Sequence, residues 1–222
     1  MGFSDTLKKE TQDIWDAILE HPFVKELGSA TLPVETFTYY IKQDYQYLID
    51  FSRCIGLAAT KSEGIDDMRL WAQRMDGCLK YETEMLESLS TQLEIPPEDI
   101  RYAEKAPTNT AYVNHILKVA YSGSLCENVA ALLPCMWTYI DVGKTLAEIG
   151  GYVGHPLYEE WCLAYNAPEY ANLVQSYKDV VDEVAENSGE YVKDKMREHF
   201  RLSMRYEYMF WDMAYNLEKW VM

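Results

Sequence analysis

The sequence predicts an all-α protein, and three observations support this prediction. Apolar residues recur at the helical spacing of three and four positions along almost the whole chain, whereas no segment shows the apolar–polar alternation of a strand. The connections between the periodic segments are short. Neither an internal repeat nor a low-complexity tract interrupts them, and no shift in composition marks a boundary. We therefore expect one helical domain that spans residues 1–222.

Proline, glycine and serine mark the predicted helices in the first half of the chain. Pro33 suits the first turn of a helix, because the backbone donor that proline lacks would be unused there. The Pro96-Pro97 pair stops a later helix, and Ser122-Gly123 ends the one after it. The first four predicted helices cover residues 4–19, 33–60, 66–93 and 108–121.

The fifth predicted helix begins with a capping box. Ser124 and Glu127 have the spacing at which each side chain satisfies a free backbone donor of the first turn. This helix closes at the Gly150-Gly151 pair. The remaining predicted elements are shorter helical pieces after Pro156 and Pro168, and a last long helix from about Gly189 to Trp220.

The net charge of the chain argues against two classes of binding partner. The chain has 36 acidic and 20 basic residues, which gives a formal net charge of −16. This charge repels the phosphates of nucleic acid and the surface of an anionic membrane. The uncharged run at residues 129–140 is far shorter than the roughly 20 residues that span a bilayer. We therefore expect neither nucleic acid nor a membrane as a partner.

The cysteines indicate a reducing compartment. The N-terminal segment MGFSDTLKKE lacks the apolar stretch of a secretion signal. An odd number of cysteines without CxxC or framework spacing is typical of reduced thiols in the cytoplasm. The five cysteines are Cys54, Cys78, Cys126, Cys135 and Cys162.

Asp44, Cys135 and Glu207 each interrupt an apolar helical stripe. A buried carboxylate without a partner costs several kcal/mol, so a helix that carries one either pairs it or uses it. Two such carboxylates and a cysteine in one small domain indicate a ligand pocket. Structural alternatives stay open, namely tyrosine hydrogen bonds to Asp44 and a buried Lys or Arg beside Glu207. The other stripe members are Phe37, Tyr40, Tyr47 and Phe51; Leu132, Tyr139, Val142 and Leu146; and Phe200, Met204, Trp211 and Ala214.

Cys135 differs from the other four cysteines because Pro134 directly precedes it inside a predicted helix. A proline in a helix interior removes a backbone hydrogen bond and costs about 3 kcal/mol. Such distortion persists at sites that are used. Our hypothesis is that Pro134 displaces the helix so that Cys135 faces a pocket. The alternative is an inert cysteine that acts as a small apolar residue.

The sequence lacks the motifs of several kinds of metal and cofactor site. No Glu-x-x-His pattern occurs, which argues against a di-iron centre. The sequence has no Cys/His pattern with zinc spacing, no Walker loop and no GxGxxG motif. We therefore expect no metal and no cofactor.

Six motifs stand out along the chain: HPFVKEL (21–27), YIKQDYQYL (40–48), APTNTAYVNH (106–115), LLPCMWTYIDVG (132–143), HPLYEEWCLAY (155–165) and YEYMFWDMAY (206–215). Together they resemble the TenA family, the thiaminase II type of aminopyrimidine aminohydrolase. The resemblance covers essentially the whole chain and implies an all-α, haem-oxygenase-like multi-helix bundle. It implies a homotetramer that salvages thiamine by converting 4-amino-5-aminomethyl-2-methylpyrimidine to the hydroxymethyl pyrimidine and ammonia. Thiamine cleavage would be similar chemistry.

The resemblance also implies roles for particular residues. Cys135 looks like the nucleophile of the family, and its presence favours the cysteine-dependent branch. Glu207 resembles the buried acid that moves protons around the pyrimidine, and Asp44 resembles the carboxylate that holds the amidine edge of the ring. The remaining implied pocket residues are Tyr47, Tyr112, Tyr139, Tyr165 and Phe210.

These roles agree with the chemistry of the residue types. Aromatic faces suit a flat aminopyrimidine, and Asp44 can accept hydrogen bonds from its amino group. Addition of a thiolate to the ring divides displacement of the amine into smaller barriers. Glu207, whose pKa we expect apolar neighbours to raise, suits an acid that then acts as a base.

Two other function classes are compatible with a helical bundle. A haem-oxygenase-like redox enzyme would need a proximal histidine or a basic anion pocket, and the sequence shows a motif for neither. A non-catalytic protein that binds a pyrimidine or regulates a partner would not depend on Cys135.

Overall fold

A computed structural model describes residues 2–221, apart from the side chains at positions 81 and 82. Within this range the chain forms twelve α-helices and one π-helical segment, with no strand, which confirms the predicted all-α class. The helices are α1 (Phe3–Glu10), α2 (Gln12–Leu19), α3 (Pro22–Gly28), α4 (Val34–Lys61), α5 (Ile65–Gly77), α6 (Thr83–Gln92), α7 (Pro97–Arg101), α8 (Pro107–Ser122), α9 (Leu125–Ile149), α10 (Tyr158–Asn166), α11 (Pro168–Glu186) and α12 (Glu190–Tyr215). The π-helical segment, Cys78–Glu82, joins α5 to α6.

The chain divides into two compact units. The first unit combines the chain up to Leu32 with Val129–Asp212. The second unit combines Pro33–Asn128 with the chain from Met213 onward. The single domain expected from the sequence stays a prediction.

The first unit is built around buried aromatic side chains. The Trp15 ring meets Trp137 edge-on at 5.2 Å between centroids, and the Lys8 ammonium lies 4.1 Å from the Trp15 ring centroid. Truncation of a buried aromatic side chain typically costs about 3–5 kcal/mol, so these rings contribute much of the stability of the unit. Its fully buried large side chains include Trp15, Phe23, Tyr158, Trp161, Tyr177, Phe200 and Trp211.

Helix α4 organises the second unit. Its 28 residues pack against α5, α6, α7 and α8. The boundary predicted at Pro33 is confirmed, because α4 begins at the next residue. The fully buried large side chains of this unit include Phe37, Tyr40, Phe51, Trp71 and Tyr112.

The prediction of one continuous first helix was wrong, because the chain breaks at Thr11. The Thr11 hydroxyl donates to the Leu7 carbonyl at 2.9 Å, and the Thr11 N–H bonds to the Lys8 carbonyl at 3.1 Å. A threonine side chain that bonds the preceding turn competes with the regular helical pattern. The result is two eight-residue helices, α1 and α2.

The fifth predicted helix begins and ends as the sequence indicates. The Ser124 N–H donates to Glu127 Oε2 at 2.7 Å, and the Glu127 N–H donates to Ser124 Oγ at 3.3 Å, which confirms the capping box. Gly150 adopts a φ of +68° directly after α9, a conformation that glycine reaches without strain.

Other boundaries differ from the prediction. The third predicted helix contains the π-helical segment, and Pro97 starts a short helix, α7, that the sequence did not predict. Helix α11 begins at Pro168, as expected, but its 19 residues make it longer than a short piece.

The last helix ends at Tyr215 rather than at Trp220. Leu217 has a φ of +51°, and the Glu218 N–H bonds back to the Met213 carbonyl at 3.0 Å, which closes the helix in a Schellman-type turn. The turn delivers Glu218 to the first turn of α8, where its carboxylate accepts the Thr108 N–H at 2.9 Å and the Thr108 hydroxyl at 3.1 Å.

Among residues 2–221, none of the helices is both long enough and apolar enough to cross a bilayer.

The cap on α8 predicts a stability effect. Replacing Glu218 by alanine removes a carboxylate that bonds two donors at a helix N-terminus, which should lower the free energy of unfolding by about 1 kcal/mol. Urea denaturation monitored by circular dichroism measures the change. Glu63→Ala, at an exposed loop position, is the control, and an equal loss in both variants would contradict the capping role.

Candidate active site

The eight site residues expected from the sequence fall into two groups. The second unit holds Asp44, Tyr47 and Tyr112. The first unit holds Cys135, Tyr139, Tyr165, Glu207 and Phe210.

Cys135 lies on α9, directly after Pro134. The helix continues through Pro134 without interruption, and the Cys135 side chain is half-buried. In the same unit Cys162 is buried, and burial raises the pKa of its thiol to about 12, with a smaller contribution from Glu159. A thiol with so high a pKa is a poor source of thiolate. The displacement of α9 by Pro134 stays a prediction.

Two hydroxyl groups fasten α9 on either side of Cys135. The Ser203 hydroxyl, fully buried on α12, donates to the Ala131 carbonyl at 2.8 Å. The Tyr170 hydroxyl on α11 donates to the Met136 carbonyl at 3.0 Å. These two bonds connect the α9 backbone to α12 at a point four residues before Cys135, and to α11 at a point one residue after it. The sequence did not predict a role for either residue, because neither was among the polar residues that interrupt an apolar helical stripe.

Glu207 is buried on α12, with 3% of its surface exposed. The Thr138 hydroxyl on α9 donates to Glu207 Oε2 at 3.4 Å. The stripe neighbours Phe200, Met204 and Trp211 are fully buried, as the apolar stripe predicts. Because Thr138 is three residues after Cys135, this contact ties the carboxyl of Glu207 to the helix that carries the thiol.

Tyr139 and Tyr165 belong to one aromatic cluster. Their ring centroids are 4.8 Å apart, and the Tyr139 centroid lies 5.3 Å from that of Trp211. Trp161, which sequence reasoning did not assign to the site, lies 4.6 Å from Tyr165 and 5.9 Å from Tyr139. Phe210 is buried with 4% exposure. Ring faces within such a cluster are a suitable surface for a flat heterocycle.

A glycine lets α10 approach α9 beside this cluster. A Cβ atom at Gly143 would lie 3.0 Å from the carbonyl oxygen of Tyr165, a separation tighter than ordinary packing. The Asn166 side-chain amide donates to the Gly143 carbonyl at 2.9 Å and fixes the contact. The position of Tyr165 therefore depends on the absence of a side chain at residue 143.

Asp44 in the second unit is buried, with 6% of its surface exposed. Burial raises the pKa of its carboxyl to about 7, although the hydroxyl of Tyr40, which donates to Oδ2 at 3.3 Å, acts in the opposite direction. The tyrosine partner left open by the sequence is thus present. It does not restore an ordinary pKa, so the carboxyl can exchange a proton near neutral pH.

Tyr47 and Tyr112 lie together in the second unit. Their ring centroids are 5.0 Å apart with an angle of 39° between the planes, and both side chains are buried. Phe51 continues the group, with its centroid 5.7 Å from that of Tyr47. The structure therefore joins the two tyrosines that the sequence assigns to this unit.

Gln43, next to Asp44, is a positioning residue that sequence reasoning missed. Its side-chain amide donates to the Glu104 carbonyl at 2.9 Å, and its Oε1 accepts the Ala106 N–H at 2.9 Å. The Asn109 amide donates to the Gln43 carbonyl at 2.8 Å and to Oε1 at 3.0 Å. These bonds hold the α4 backbone beside Asp44 against the start of α8. Gln43 is 4% exposed. The signal that could have identified it from the sequence is a side-chain amide within a helix that is mostly buried.

Comparison with known proteins gives consistent matches over nearly the full length. The model of the TENA/THI-4/PQQC family matches residues 8–217. The chain is 35% identical to the aminopyrimidine aminohydrolase of Halalkalibacterium halodurans over 220 residues, which cover 99% of this chain and 98% of that protein.

Solved structures give the same result at the level of the fold. The TenA homologue from P. horikoshii OT3 superposes with a TM-score of 0.90 at 31% identity, covering 97% of this chain and 99% of that one. A protein from Shewanella denitrificans OS217 described as having a heme oxygenase-like fold matches with a TM-score of 0.79 at 13% identity, covering 96% and 92%. The predicted haem-oxygenase-like fold is confirmed.

The raised pKa of Asp44 predicts a pH-dependent stability. The folded chain binds more protons than the unfolded chain between the ordinary value of 3.8 and about 7, so Asp44 makes the free energy of unfolding fall as pH rises through this range. The variant Asp44→Asn should therefore gain stability over the parent between pH 4 and pH 8, by at most about 4 kcal/mol at roughly 1.4 kcal/mol per pKa unit.

Urea denaturation across this pH range measures the difference. Glu35→Gln, an exposed position on the same helix, is the control. Parallel curves for Asp44→Asn and the parent would show that the buried carboxyl is not the source of the effect.

Proposed function

Because this chain belongs to the TENA/THI-4/PQQC family, we propose that it is an aminopyrimidine aminohydrolase of the thiaminase II type. It converts 4-amino-5-aminomethyl-2-methylpyrimidine and water to the hydroxymethyl pyrimidine and ammonia, in the salvage of thiamine. The observation that carries this proposal is the full-length match to the aminopyrimidine aminohydrolase of Halalkalibacterium halodurans. Cleavage of thiamine, with the thiazole as leaving group, is the same type of displacement.

Asp44 recognises the amidine edge of the pyrimidine. That edge pairs a ring nitrogen with an exocyclic amino group, and a carboxyl group can form two parallel hydrogen bonds with it. The pair shares one proton, which resides on the ring nitrogen or on the carboxyl oxygen. A carboxyl whose pKa is about 7 suits this sharing, since both protonation states are accessible near neutral pH.

Cys135 is the nucleophile. Its thiolate adds to a ring carbon and forms a C–S bond, and the displaced electron pair of the ring expels the amine by breaking the C–N bond of the aminomethyl group. The amine leaves as ammonia after protonation. Water then forms the new C–O bond at the methylene carbon, and the ring expels the thiolate. The thiolate is regenerated, so the net reaction consumes one water molecule.

Glu207 moves the protons of this sequence. As a carboxylic acid it protonates the departing amine, and as the resulting carboxylate it accepts a proton from the attacking water. Burial supports this role, because it keeps bulk water away from the proton-transfer steps. The hydrogen bond from Thr138 orients the carboxyl toward the helix of Cys135.

The tyrosines and Phe210 supply flat apolar surface. In the first unit Tyr139, Tyr165 and Phe210 are all buried, and the tyrosines offer ring faces. In the second unit Tyr47 and Tyr112 do the same. Stacking on an aromatic face binds a flat ring with little demand for hydrogen bonds.

The assembly is a homotetramer in the cytoplasm. The resemblance to the TenA family supports the tetramer. The odd number of cysteines, without CxxC or framework spacing, supports a reducing compartment. Light scattering coupled to size-exclusion chromatography measures the number of copies.

An absorption spectrum of the purified protein separates the hydrolase from a redox enzyme on the same fold. A haem Soret band would contradict the hydrolase proposal. Release of ammonia from the aminomethyl pyrimidine, with thiamine compared in a parallel assay, tests the hydrolase directly.

Removal of the nucleophile or of the acid should abolish most of the activity. Cys135→Ser and Glu207→Gln should each lower kcat by at least about 100-fold, because each removes a chemical step rather than a binding contact. Cys126→Ser on α9 and Glu198→Gln on α12 are the matched controls and should keep the parent rate. Near-parental turnover by either site variant would refute the mechanism.

Loss of Asp44 should act mainly on affinity. Asp44→Ala removes two hydrogen bonds to the ring, at least one of them charge-assisted, so the substrate should bind about 10-fold to 100-fold more weakly. Isothermal titration calorimetry on the Cys135→Ser background measures binding without turnover. Unchanged affinity would exclude the proposed contact with the amidine edge.

A further inference from the structure

The segment that follows α12 contacts the start of α8 and the connection that precedes it. The carboxylate of Glu218 accepts both the N–H and the hydroxyl of Thr108 on α8. The Trp220 indole N–H donates to the Lys105 carbonyl, in the connection between α7 and α8, at 2.9 Å. We call this segment, residues 216–221, the strap. It lies in the second unit together with α4 and α8.

The first residues of α8 do not cap this helix by themselves. Ala106 occupies the N-cap position and has no side-chain acceptor, and Pro107 follows it. In a capping box the acceptors for the free N–H groups come from the same helix. Here the N–H of Thr108 bonds to Glu218 of the strap. The N–H of Ala106 bonds to Gln43 Oε1 on α4 at 2.9 Å. The start of α8 therefore depends on two acceptors that are distant in the sequence.

The acceptor on α4 is the immediate neighbour of Asp44. Asn109, in the first turn of α8, donates to the Gln43 carbonyl at 2.8 Å, and this carbonyl belongs to the peptide bond that joins Gln43 to Asp44. Tyr112 follows Asn109 by about one helical turn, and its ring centroid lies 5.0 Å from that of Tyr47. A shift of the start of α8 would therefore move the backbone contact beside Asp44 and the Tyr112 ring together.

The connection before α8 is bound by both α4 and the strap. The Lys105 ammonium pairs with the carboxylate of Asp50, a residue of α4 that is 3% exposed. The Gln43 side-chain amide donates to the Glu104 carbonyl at 2.9 Å. Trp220 adds the bond from the strap to the Lys105 carbonyl. Because α4 already fixes one part of this connection, the strap contacts complete its attachment.

The strap is also bound directly to α4. The Tyr39 hydroxyl donates to the backbone carbonyl of Glu218. Burial, with a smaller contribution from the Glu218 charge, raises the pKa of Tyr39 to about 12, so this hydroxyl keeps its proton at neutral pH. The strap, the start of α8 and α4 thus form a closed set of contacts, each bonded to the other two.

We propose that Glu218 and Trp220 are positioning residues for substrate binding. They hold the start of α8 in the place at which Asp44 and the Tyr47–Tyr112 pair bind the aminopyrimidine. This inference rests on the proposed function, because the ligand is the substrate of that reaction. The chemical steps assigned to Cys135 and Glu207 use neither residue of the strap. Loss of the strap contacts should therefore weaken substrate binding rather than slow the chemistry.

Steady-state kinetics test this separation. Glu218→Ala should raise KM for the aminomethyl pyrimidine by at least about 5-fold and leave kcat within about 2-fold of the parent, because displaced binding groups weaken the ground state and the transition state alike. Calorimetry on the Cys135→Ser background should show the same increase in Kd. Glu63→Ala, at an exposed loop position, is the control and should keep the parental KM.

Two conservative variants distinguish the individual bonds. Glu218→Gln can still accept the Thr108 N–H and can donate to the Thr108 hydroxyl, so its KM should stay close to the parental value. Trp220→Phe keeps an aromatic ring but loses the indole N–H, and should raise KM by about 2-fold, since its single bond is exposed. A parental KM in both Glu218→Ala and Trp220→Phe would overturn the proposal.

Amide hydrogen exchange tests the link to Asp44 without substrate. In Glu218→Ala, residues 106–112 and residues 40–48 should exchange at least about 5-fold faster than in the parent, whereas residues 174–185 of α11 should keep the parental rate. Faster exchange confined to 106–112, or an equal rise in all three segments, would show a purely structural cap and contradict the proposal. A parent that releases no ammonia refutes the hydrolase, and exchange at 40–48 then still decides whether the strap positions Asp44.

Discussion

A carboxyl group buried in an aromatic helix face is the constraint on which the second unit depends. Removal of Asp44 from water raises its pKa to about 7, and the hydrogen bond from Tyr40 offsets only part of that desolvation. Such a carboxyl stays buried only if the helix that carries it is fixed in position by other contacts. Gln43 and Asn109 do this by locking α4 to the start of α8. The carboxyl can therefore exchange a proton near neutral pH.

In the first unit, the helix that carries Cys135 is held by similar means. Pro134 removes one internal hydrogen bond of α9 next to Cys135. Hydroxyl donors from Ser203 and Tyr170 bind the carbonyls on either side, so neighbouring helices supply contacts to a helix that proline weakens. Burial raises the pKa of Cys162 to about 12, whereas Cys135 is half-buried beside this braced backbone. The two cysteines therefore differ in how deeply the fold buries them.

Local signals predicted much of the fold because their physics is local. The capping box of α9 uses two residues three positions apart, and Pro33 acts on the turn that follows it. The break at Thr11 was missed, because a threonine is compatible with a helix interior and only its bond to the preceding turn reveals the break. The early end of α12 was missed for a different reason. Leu217 has a positive φ, which allows Glu218 to contact α8. No residue within α12 itself indicates that contact.

The sequence by itself determined the helical class and the side of the helix on which Asp44, Cys135 and Glu207 lie, because periodicity depends only on residues of the same helix. It also placed Tyr139 with its stripe. The tertiary structure alone decided which groups meet them: Thr138 at Glu207, and Tyr165 and Trp161 at Tyr139. Desolvation and hydrogen bonding depend on atoms from distant parts of the chain. No spacing within one helix can encode them, so the chemistry of these residues became visible only in the folded protein.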